Sequence, residues 1–182
     1  LIHPEKFIGF TGHPQNPASV LLCNNNLHVE LVFDNEHPIG KVSPSGLADV
    51  VIESAISAII DCEDSVACVD AEDKTLAYRN WLGLMKGDIN ETFEKGSKTF
   101  TRALNPDKTF TGPDGGVFTM KGRALLLVRN VGHLMTNPAI LDRDGNEVFE
   151  GLMDAVVTSL IDMNDLAKTS GTRNSVRGSI NV

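Results

Sequence analysis

The sequence lacks several features that would assign a protein to a class at once. Its three cysteines, Cys23, Cys62 and Cys68, form no CxxC pair, so neither a disulfide framework nor a zinc knuckle is expected and a reducing cytoplasm is favoured. No apolar run approaches the roughly 20 residues of a membrane-spanning helix. The opening LIHPEKF has neither the basic nor the apolar region of a signal peptide. We therefore expect no association with a membrane.

Basic charge and nucleotide-binding motifs are also scarce. Lys and Arg number 16 against 24 Asp and Glu, giving a net charge of -8, whereas nucleic-acid-binding proteins carry a basic surface. The sequence contains no GxGxxG, P-loop or GxSxG motif. These absences argue against nucleic acid as a partner and against the common nucleotide-binding loops.

What is present is an ordinary globular composition. The 182 residues are 41% hydrophobic and 22% charged, which is enough for one sizeable core or two small ones. The chain has no initiator Met, and its ending SVRGSINV is typical of the first residues of a strand. Together these two features suggest a piece excised from a longer protein.

The first third of the chain predicts a hairpin followed by a helix. In SVLLCNNNLHVELVFD, two apolar-rich runs flank three Asn residues, which tolerate positive φ, so a β-hairpin is expected. The stretch SPSGLADVVIESA favours a short helix. Ser43 or Ser45 would cap this helix, and Leu47, Val50 and Val51 would form its buried side, with Ser54 as a further candidate.

Two apolar runs predict strands that each lead to a helix. Ile56 to Ile60 precedes a helix that Asp70 would cap and Gly87 would end. Leu125 to Val128 has no polar face, as in a strand covered on both sides, and precedes a helix from about Val148 to Lys168. The expected apolar positions are Leu76, Tyr78, Trp81, Leu82 and Met85 in the first helix, and Leu152, Val156, Leu160 and Met163, reinforced by Met153, Val157 and Ile161, in the second. Strands alternating with helices indicate parallel β/α units.

Charged residues follow both predicted strands. Asp61 and Glu63 come directly after the first strand, and Arg129 ends the second. A parallel sheet would bring these residues onto one rim, where such folds bind ligands. The rim could hold Mg²⁺ through its carboxylates and an anionic substrate through Arg129. It could equally be a structural ion pair, and the spacing leaves both interpretations open.

The remaining motifs carry less chemistry. Residues 97–120 alternate in polarity and contain the turn signals NPDK and GPDGG, which predict a small antiparallel excursion. The DRDGNE stretch is expected to be a turn, because the first and last positions of a calcium loop would hold Ile140 and Gly151. His133 could be an acid or base, or equally a loop anchor. Cys62 and Cys68 are interpreted as small apolar residues.

Three long motifs resemble bacterial malate synthase, isoform G: SAIIDCEDSVACVDAEDKTLAYRNWLGLMKG, ALLLVRNVGHLMTNPAI and GNEVFEGLMDAVVTSLIDMNDL. The resemblance extends through nearly the whole chain and implies an internal fragment of a longer enzyme. Its fold class would be α/β, with the first β/α units of a TIM barrel and part of an inserted α/β domain that has antiparallel strands. The implied divisions are 1–51 in the inserted domain, 52–90 as barrel strand 1 and its helix, 91–123 as a return to the insert, and 124–182 as barrel strand 2, its helix and the lead into strand 3.

The resemblance also implies a reaction and roles for particular residues. The family condenses glyoxylate with acetyl-CoA and water to give malate and CoA in the glyoxylate cycle, and requires Mg²⁺. Arg129 matches the arginine that contacts glyoxylate and stabilises the developing enolate oxygen. Ser65 and Arg102 match positions that contact acetyl-CoA. Asp61 and Glu63 match acids on the metal side of the pocket, with Glu63 expected to act through metal-bound water and Asp61 to orient Arg129.

Parts of the family's active site are implied to lie elsewhere. The direct Mg²⁺ ligands and the catalytic base would be outside this chain, so the chain by itself is expected to be inactive. The whole enzyme is expected to be a cytoplasmic monomer, and the isolated piece is expected to self-associate through uncovered surfaces. Two other interpretations stay open: a non-catalytic α/β module that binds a partner or nucleotide, and another metal-dependent barrel aldolase or lyase.

Overall fold

The computed structural model describes residues 2–52, 57–63 and 66–182. Contacts divide the chain into two compact units, Leu1–Ile56 with Asn105–Ala124, and Ser57–Leu104 with Leu125–Val182. In chain order the elements are β1 (Phe7–His13), β2 (Asn16–Asn24), β3 (Leu27–Phe33), β4 (Leu47–Ile52), β5 (Ser57–Asp61), α1 (Ala71–Lys86), β6 (Asn90–Lys95), β7 (Lys98–Ala103), β8 (Lys108–Thr111), β9 (Val117–Met120), β10 (Leu125–Arg129), β11 (Thr136–Leu141), β12 (Glu147–Phe149) and α2 (Glu150–Leu166). The assignment of residue ranges to a barrel and an insert stays a prediction.

The first unit is built on an antiparallel sheet with the strand order β4-β3-β2-β1-β8-β9. The predicted hairpin is confirmed, since β2 and β3 pair from Ser19 opposite Val32 to Asn24 opposite Leu27. Asn25 and Asn26 have φ values of 51° and 64°. Two successive residues with positive φ give a turn whose twist matches that of the flanking strands.

The helix expected around Leu47 is wrong, because this segment is strand β4. Val50 pairs with Leu31 of β3, and both Val50 and Val51 are exposed instead of buried. Ser54 lies outside the described residues. Ser43 closes a turn, since its Oγ accepts a hydrogen bond from Leu47 N at 3.1 Å. The β-branched residues of the segment favour a strand, and the edge of β3 supplies the hydrogen-bonding partners that a strand needs.

The second unit joins a parallel strand pair to two helices. β5 and β10 pair in parallel, with Leu125 opposite Ser57 and Arg129 opposite Asp61. The strands β6 with β7, and β11 with β12, form separate antiparallel pairs. The antiparallel excursion is confirmed by β6–β7 and by β8–β9. The helices pack on the β5–β10 pair around a buried cluster of Cys62, Trp81, Met85, Val128 and Ile161.

Helix α1 has the ends that the sequence predicts. Asp70 is the N-cap, and its Oδ1 accepts hydrogen bonds from Glu72 N at 2.9 Å and Asp73 N at 3.0 Å. Gly87 ends the helix with a φ of 84°, a conformation that suits glycine. Trp81 and Met85 are buried as expected, whereas Leu76 is 55% exposed.

The expected apolar face of α2 is wrong at its four main positions, whereas the reinforcing residues Met153 and Ile161 are buried as expected. The exposed residues are the four that were expected to be covered: Leu152, Val156, Leu160 and Met163. The buried side combines Met153 and Ile161 with the polar residues Asp154, Thr158, Asp162 and Asp165. A buried carboxylate is tolerated only where it is paired or hydrogen-bonded. Partners on α1 and in the loops meet this requirement, so the acidic side of α2 can face the core.

The edge of β10 that faces away from β5 is partly occupied by the last residues of the chain. Val128 N donates to Asn181 O at 3.0 Å. The Asn174 side chain exchanges hydrogen bonds of 2.8 and 2.9 Å with the backbone of Leu126.

The expectation that β10 is covered on both faces is also wrong within the described residues, since Leu125 is 40% exposed. On the neighbouring strand β5, Ile59 is 63% exposed.

The architecture agrees with an α/β class that includes antiparallel sheets. A parallel strand pair with a helix after each strand is the repeating unit of a β/α barrel, although a closed barrel needs more such units than the described part of the chain contains. Neither α1 nor α2 combines the length and the apolar character needed to cross a membrane.

Candidate active-site rim

The carboxyl ends of β5 and β10 bring the predicted site residues together. The parallel register places Arg129 opposite Asp61. The pairing continues one step past the strands, since Cys62 N donates to Arg129 O at 3.1 Å. Asp61, Glu63 and Arg129 therefore lie on one rim, as the spacing predicted.

Arg129 binds both acids of the rim. Its Nε donates to Asp61 Oδ1 at 3.1 Å, and its Nη2 donates to Asp61 Oδ2, which makes the pair bidentate. The same Nη2 donates to Glu63 Oε2 at 2.9 Å. The Arg129 side chain is 51% exposed, whereas that of Asp61 is only 20% exposed. One face of the guanidinium is thus held by protein carboxylates while the rest is open to an incoming group.

The rim is charged at neutral pH. Partial burial acts to raise the pKa of Asp61, but the hydrogen bonds from Arg129 and the Glu63 amide outweigh it, so this pKa lies below its ordinary value of 3.8. The hydrogen bond to Asp61 in turn raises the pKa of Arg129.

The other predicted site residues are not brought to this rim by any contact in the described structure. Arg102 lies on the exposed β6–β7 pair, with its guanidinium 4.7 Å from the centre of the Phe93 ring. Ser65 lies outside the described residues. His133 is exposed in the loop after β10.

The cysteines behave as small apolar residues. Cys62 is fully buried and Cys68 is 5% exposed. Burial raises the pKa of Cys62 to about 12, so its thiol is protonated and unreactive at neutral pH. The interpretation of both residues as part of the core is confirmed.

The sequence pattern did not predict the buried cation next to the rim, which is Lys74. Lys74 on α1 is 1% exposed, and its Nζ contacts Cys62 O at 2.6 Å, Glu150 Oε1 at 2.6 Å and Asp154 Oδ1 at 3.0 Å. All three ammonium protons therefore have an acceptor. Burial acts to lower the pKa of Lys74, but the bonds to Glu150 and Asp154 outweigh it and raise this pKa.

Asp154 is the second centre of this buried network. It is fully buried, and its carboxylate accepts hydrogen bonds from Lys74, from the Tyr78 hydroxyl and from Val131 N at 2.9 Å. Burial, followed by the bond to Asp154, raises the pKa of Tyr78 and keeps its phenol protonated. The helical spacing 74, 77, 81 and 85 was the signal that could have placed Lys74 on the buried face of α1.

The residues of the rim suit Mg²⁺ in chemical type, although they do not form a complete site. Asp61 and Glu63 supply carboxylate oxygens, which Mg²⁺ prefers, and the ion keeps several waters through which such groups can act. Both acids are engaged by Arg129. Among the residues that the structure describes, no three His, Cys, Asp or Glu side chains are grouped so that they could hold a metal ion.

Comparison with known proteins gives one consistent result. The chain is 53% identical over 178 residues to malate synthase G of Corynebacterium efficiens, and 52% identical over 178 residues to that of Corynebacterium glutamicum. It is 50% identical over 177 residues to malate synthase G of Halalkalibacterium halodurans. These matches cover 97–98% of the chain. No protein-family model matches it.

The chain spans about a quarter of the length of these curated relatives, 24% in each case. The resemblance expected from the three motifs is therefore confirmed, and over nearly all of its length this chain is related to a segment of malate synthase G.

Proposed function

We propose that the chain is part of a malate synthase and supplies one side of its active site. The observation that carries this proposal is the Asp61–Arg129–Glu63 rim at the carboxyl ends of a parallel strand pair, in a chain about half identical to malate synthase G. A half-exposed arginine held by two acids is suited to bind a small carboxylate or a developing oxyanion. Both occur in the proposed reaction.

The proposed reaction joins the methyl carbon of acetyl-CoA to the aldehyde carbon of glyoxylate. A base removes a methyl proton to give the enolate, the enolate attacks the aldehyde, and water then cleaves the thioester to give malate and CoA. Arg129 would bind a glyoxylate oxygen and stabilise the enolate oxygen as charge develops. Asp61 would hold the guanidinium in the required plane through its bidentate bond.

Mg²⁺ would supply the electrophilic polarisation of the aldehyde when it is bound. Glu63 and Asp61 would face the ion through its water molecules, and we propose that its direct ligands lie outside this chain, as does the catalytic base. Arg102 and Ser65 are proposed contacts of acetyl-CoA. The exposed position of Arg102 and its stacking on Phe93 suit the recognition of a phosphate or a base.

The cellular compartment, the pathway and the oligomeric state of the whole enzyme are also proposals. Three free cysteines fit a reducing compartment, which supports the cytoplasm. Glyoxylate and acetyl-CoA are the proposed substrates within the glyoxylate cycle, and the whole enzyme is proposed to be monomeric. From the resemblance to malate synthase G, we propose that residues 52–90 and 124–182 are parts of a TIM barrel and that 1–51 and 91–123 belong to an insert.

The test compares the full-length protein with the 182-residue chain. The full-length protein is expected to release CoA from acetyl-CoA only when glyoxylate and Mg²⁺ are both present. The 182-residue chain is expected to release none, because loss of the base and of the metal ligands removes most of a rate enhancement that is typically about 8 kcal/mol or more.

Two outcomes would contradict the proposal. A full-length protein without glyoxylate-dependent CoA release would refute the malate synthase function. Measurable turnover by the purified 182-residue chain would refute the assignment of the base and the metal ligands to other parts of the protein. A thiol-reactive dye that detects free CoA measures both.

A further inference from the structure

The buried Lys74 network contacts both strand ends that carry the rim. Lys74 Nζ donates to Cys62 O at 2.6 Å, and Cys62 is the residue between Asp61 and Glu63. On the other strand, Asp154 accepts from Val131 N at 2.9 Å, two residues beyond Arg129. One buried ion pair therefore fixes the backbone on both sides of the rim.

The same network reaches further into the loop after β10. Thr158, one turn after Asp154 on α2, donates from its Oγ1 to Asn130 Oδ1 at 3.2 Å. Glu150 N donates to Met135 O at 2.9 Å, while the Glu150 carboxylate binds Lys74. The loop that leaves Arg129 is thus held at three points by α2, at Glu150, Asp154 and Thr158.

Stability alone does not explain such a cluster. Burying an ammonium and two carboxylates carries a large desolvation penalty, and apolar residues of similar volume are often equally stabilising in such a place. A fully satisfied ionic network does, however, specify one geometry, because each donor has a fixed acceptor. The arrangement is therefore suited to holding the two strand ends in register.

We propose that Lys74 and Asp154 are positioning residues for the rim. They hold the Cys62 carbonyl and the Val131 amide, and so set where Asp61 and Glu63 meet the Arg129 guanidinium. Neither residue contacts the rim side chains directly in the structure. The kinetic part of this inference rests on the proposed function, whereas its structural part does not.

The experiment uses three variants of the full-length protein. Lys74→Met removes the cation, and Lys74→Met combined with Glu150→Gln removes it while keeping the net charge of the cluster. The control is Asp162→Asn, which alters another buried acid on α2. Asp162 accepts from Trp81 Nε1 at 2.9 Å and from Asn181 N at 3.1 Å, and in the described part of the chain it makes no hydrogen bond to residues 57–63 or 129–133.

The charge-balanced variant is expected to stay folded and to melt at a higher temperature than Lys74→Met, because only one carboxylate, that of Asp154, is left buried without the ammonium. Its kcat should fall by on the order of 10- to 100-fold, the scale for a displacement of about 1 Å in a catalytic geometry. The KM for glyoxylate should change less than kcat, because the contact of Arg129 with the enolate oxygen strengthens only in the transition state, whereas its contact with glyoxylate is made in both states. Hydrogen exchange should become faster in peptides that cover residues 57–63 and 129–133. Lys74→Met should show the same changes, with a lower melting temperature.

The control separates positioning from general destabilisation. Asp162→Asn is expected to leave kcat and the exchange of both peptides close to wild-type values. A folded charge-balanced variant with wild-type kcat would overturn the proposal, as would a loss of kcat that the control shares. If the wild-type protein shows no malate synthase activity, the proposed function fails. Hydrogen exchange then decides alone, and unchanged exchange in the two peptides overturns the positioning role.

Discussion

At the scale of single residues, Arg129 combines a backbone held in the core with a guanidinium that is open to solvent. It follows Val128, which is 2% exposed, so the backbone that carries it is held in the core. Its guanidinium contacts Asp61 and Glu63 but is about half exposed. The rigid backbone and the carboxylates of Asp61 and Glu63 orient the guanidinium of Arg129, while its exposed side can reach a ligand.

Replacing Arg129 by Lys in the full-length protein is expected to lower kcat by on the order of a hundredfold, the scale for losing one oxyanion donor. Lys keeps the positive charge but cannot form the planar bidentate bond, so the contact that strengthens in the transition state is lost. The melting temperature should change little, because the side chain lies at a strand end. Steady-state kinetics and a melting curve on the same variant measure both quantities.

The opposite pattern would reveal a structural role. If Arg129 served only to tie the two strands together through Asp61, the Lys variant would melt at a lower temperature and keep nearly full turnover. Arg79→Lys is the matched control, since Arg79 is an exposed arginine on α1. It is expected to change neither quantity.

At the scale of elements, α1 carries both the Asp70 N-cap and Lys74, which contacts Asp154 far away in the sequence. Its N-cap Asp70 fixes where the helix begins, and Lys74 lies four residues later on the face that packs against α2. Lys74 belongs to this first turn, since its N donates to Asp70 O at 3.0 Å, so fraying of the turn would release the backbone that directs Lys74 to Asp154. The cap therefore contributes to the register of the buried network as well as to the stability of the helix.

Asp70→Ala is expected to weaken the first turn of α1 by about 1 kcal/mol, because two backbone amides lose their acceptor. Amide exchange in peptides covering residues 71–75 should become about fivefold faster, which is the same free energy expressed as an equilibrium constant. Asp70→Asn is the matched control, since Asn caps helices about as well as Asp. Equal exchange in the Ala and Asn variants would show that the side-chain cap contributes nothing measurable.

At the scale of the whole molecule, the chain exposes apolar surface that a folded protein usually covers. Leu152, Val156, Leu160 and Met163 form a continuous stripe along α2, and each is more than half exposed. On the strand pair, Ile59 is 63% exposed. Contiguous apolar surface of this kind drives association in water.

The 182-residue chain in isolation is expected to self-associate, with an average mass that rises with concentration in light scattering. Val156→Lys together with Leu160→Lys should reduce this association, because two charges would interrupt the stripe. The control adds the same charges on α1, as Thr75→Lys with Asn80→Lys, at exposed positions away from the stripe. A wild-type chain that stays monomeric at high concentration would contradict the prediction.

The features that the sequence predicted correctly depend on local physics. The Asn25–Asn26 turn, the Asp70 cap and the Gly87 terminus each follow from the conformations that those residues prefer. The rim of Asp61, Glu63 and Arg129 followed from one further assumption, that two apolar strands pair in parallel. The implied reaction came from the motifs alone, since the roles of these residues depend on a resemblance and not on their spacing.

What only the tertiary structure decided depends on partners far away in the chain. The segment at Leu47 became a strand because β3 was available to pair with it. Lys74 is buried because Asp154, 80 residues later, and Glu150 neutralise it. Asp162 faces inward because Trp81 and the Asn181 amide donate to it. A periodic pattern reports how apolar a face is, but the free energy of burying a charge depends on whether an opposite charge meets it in space.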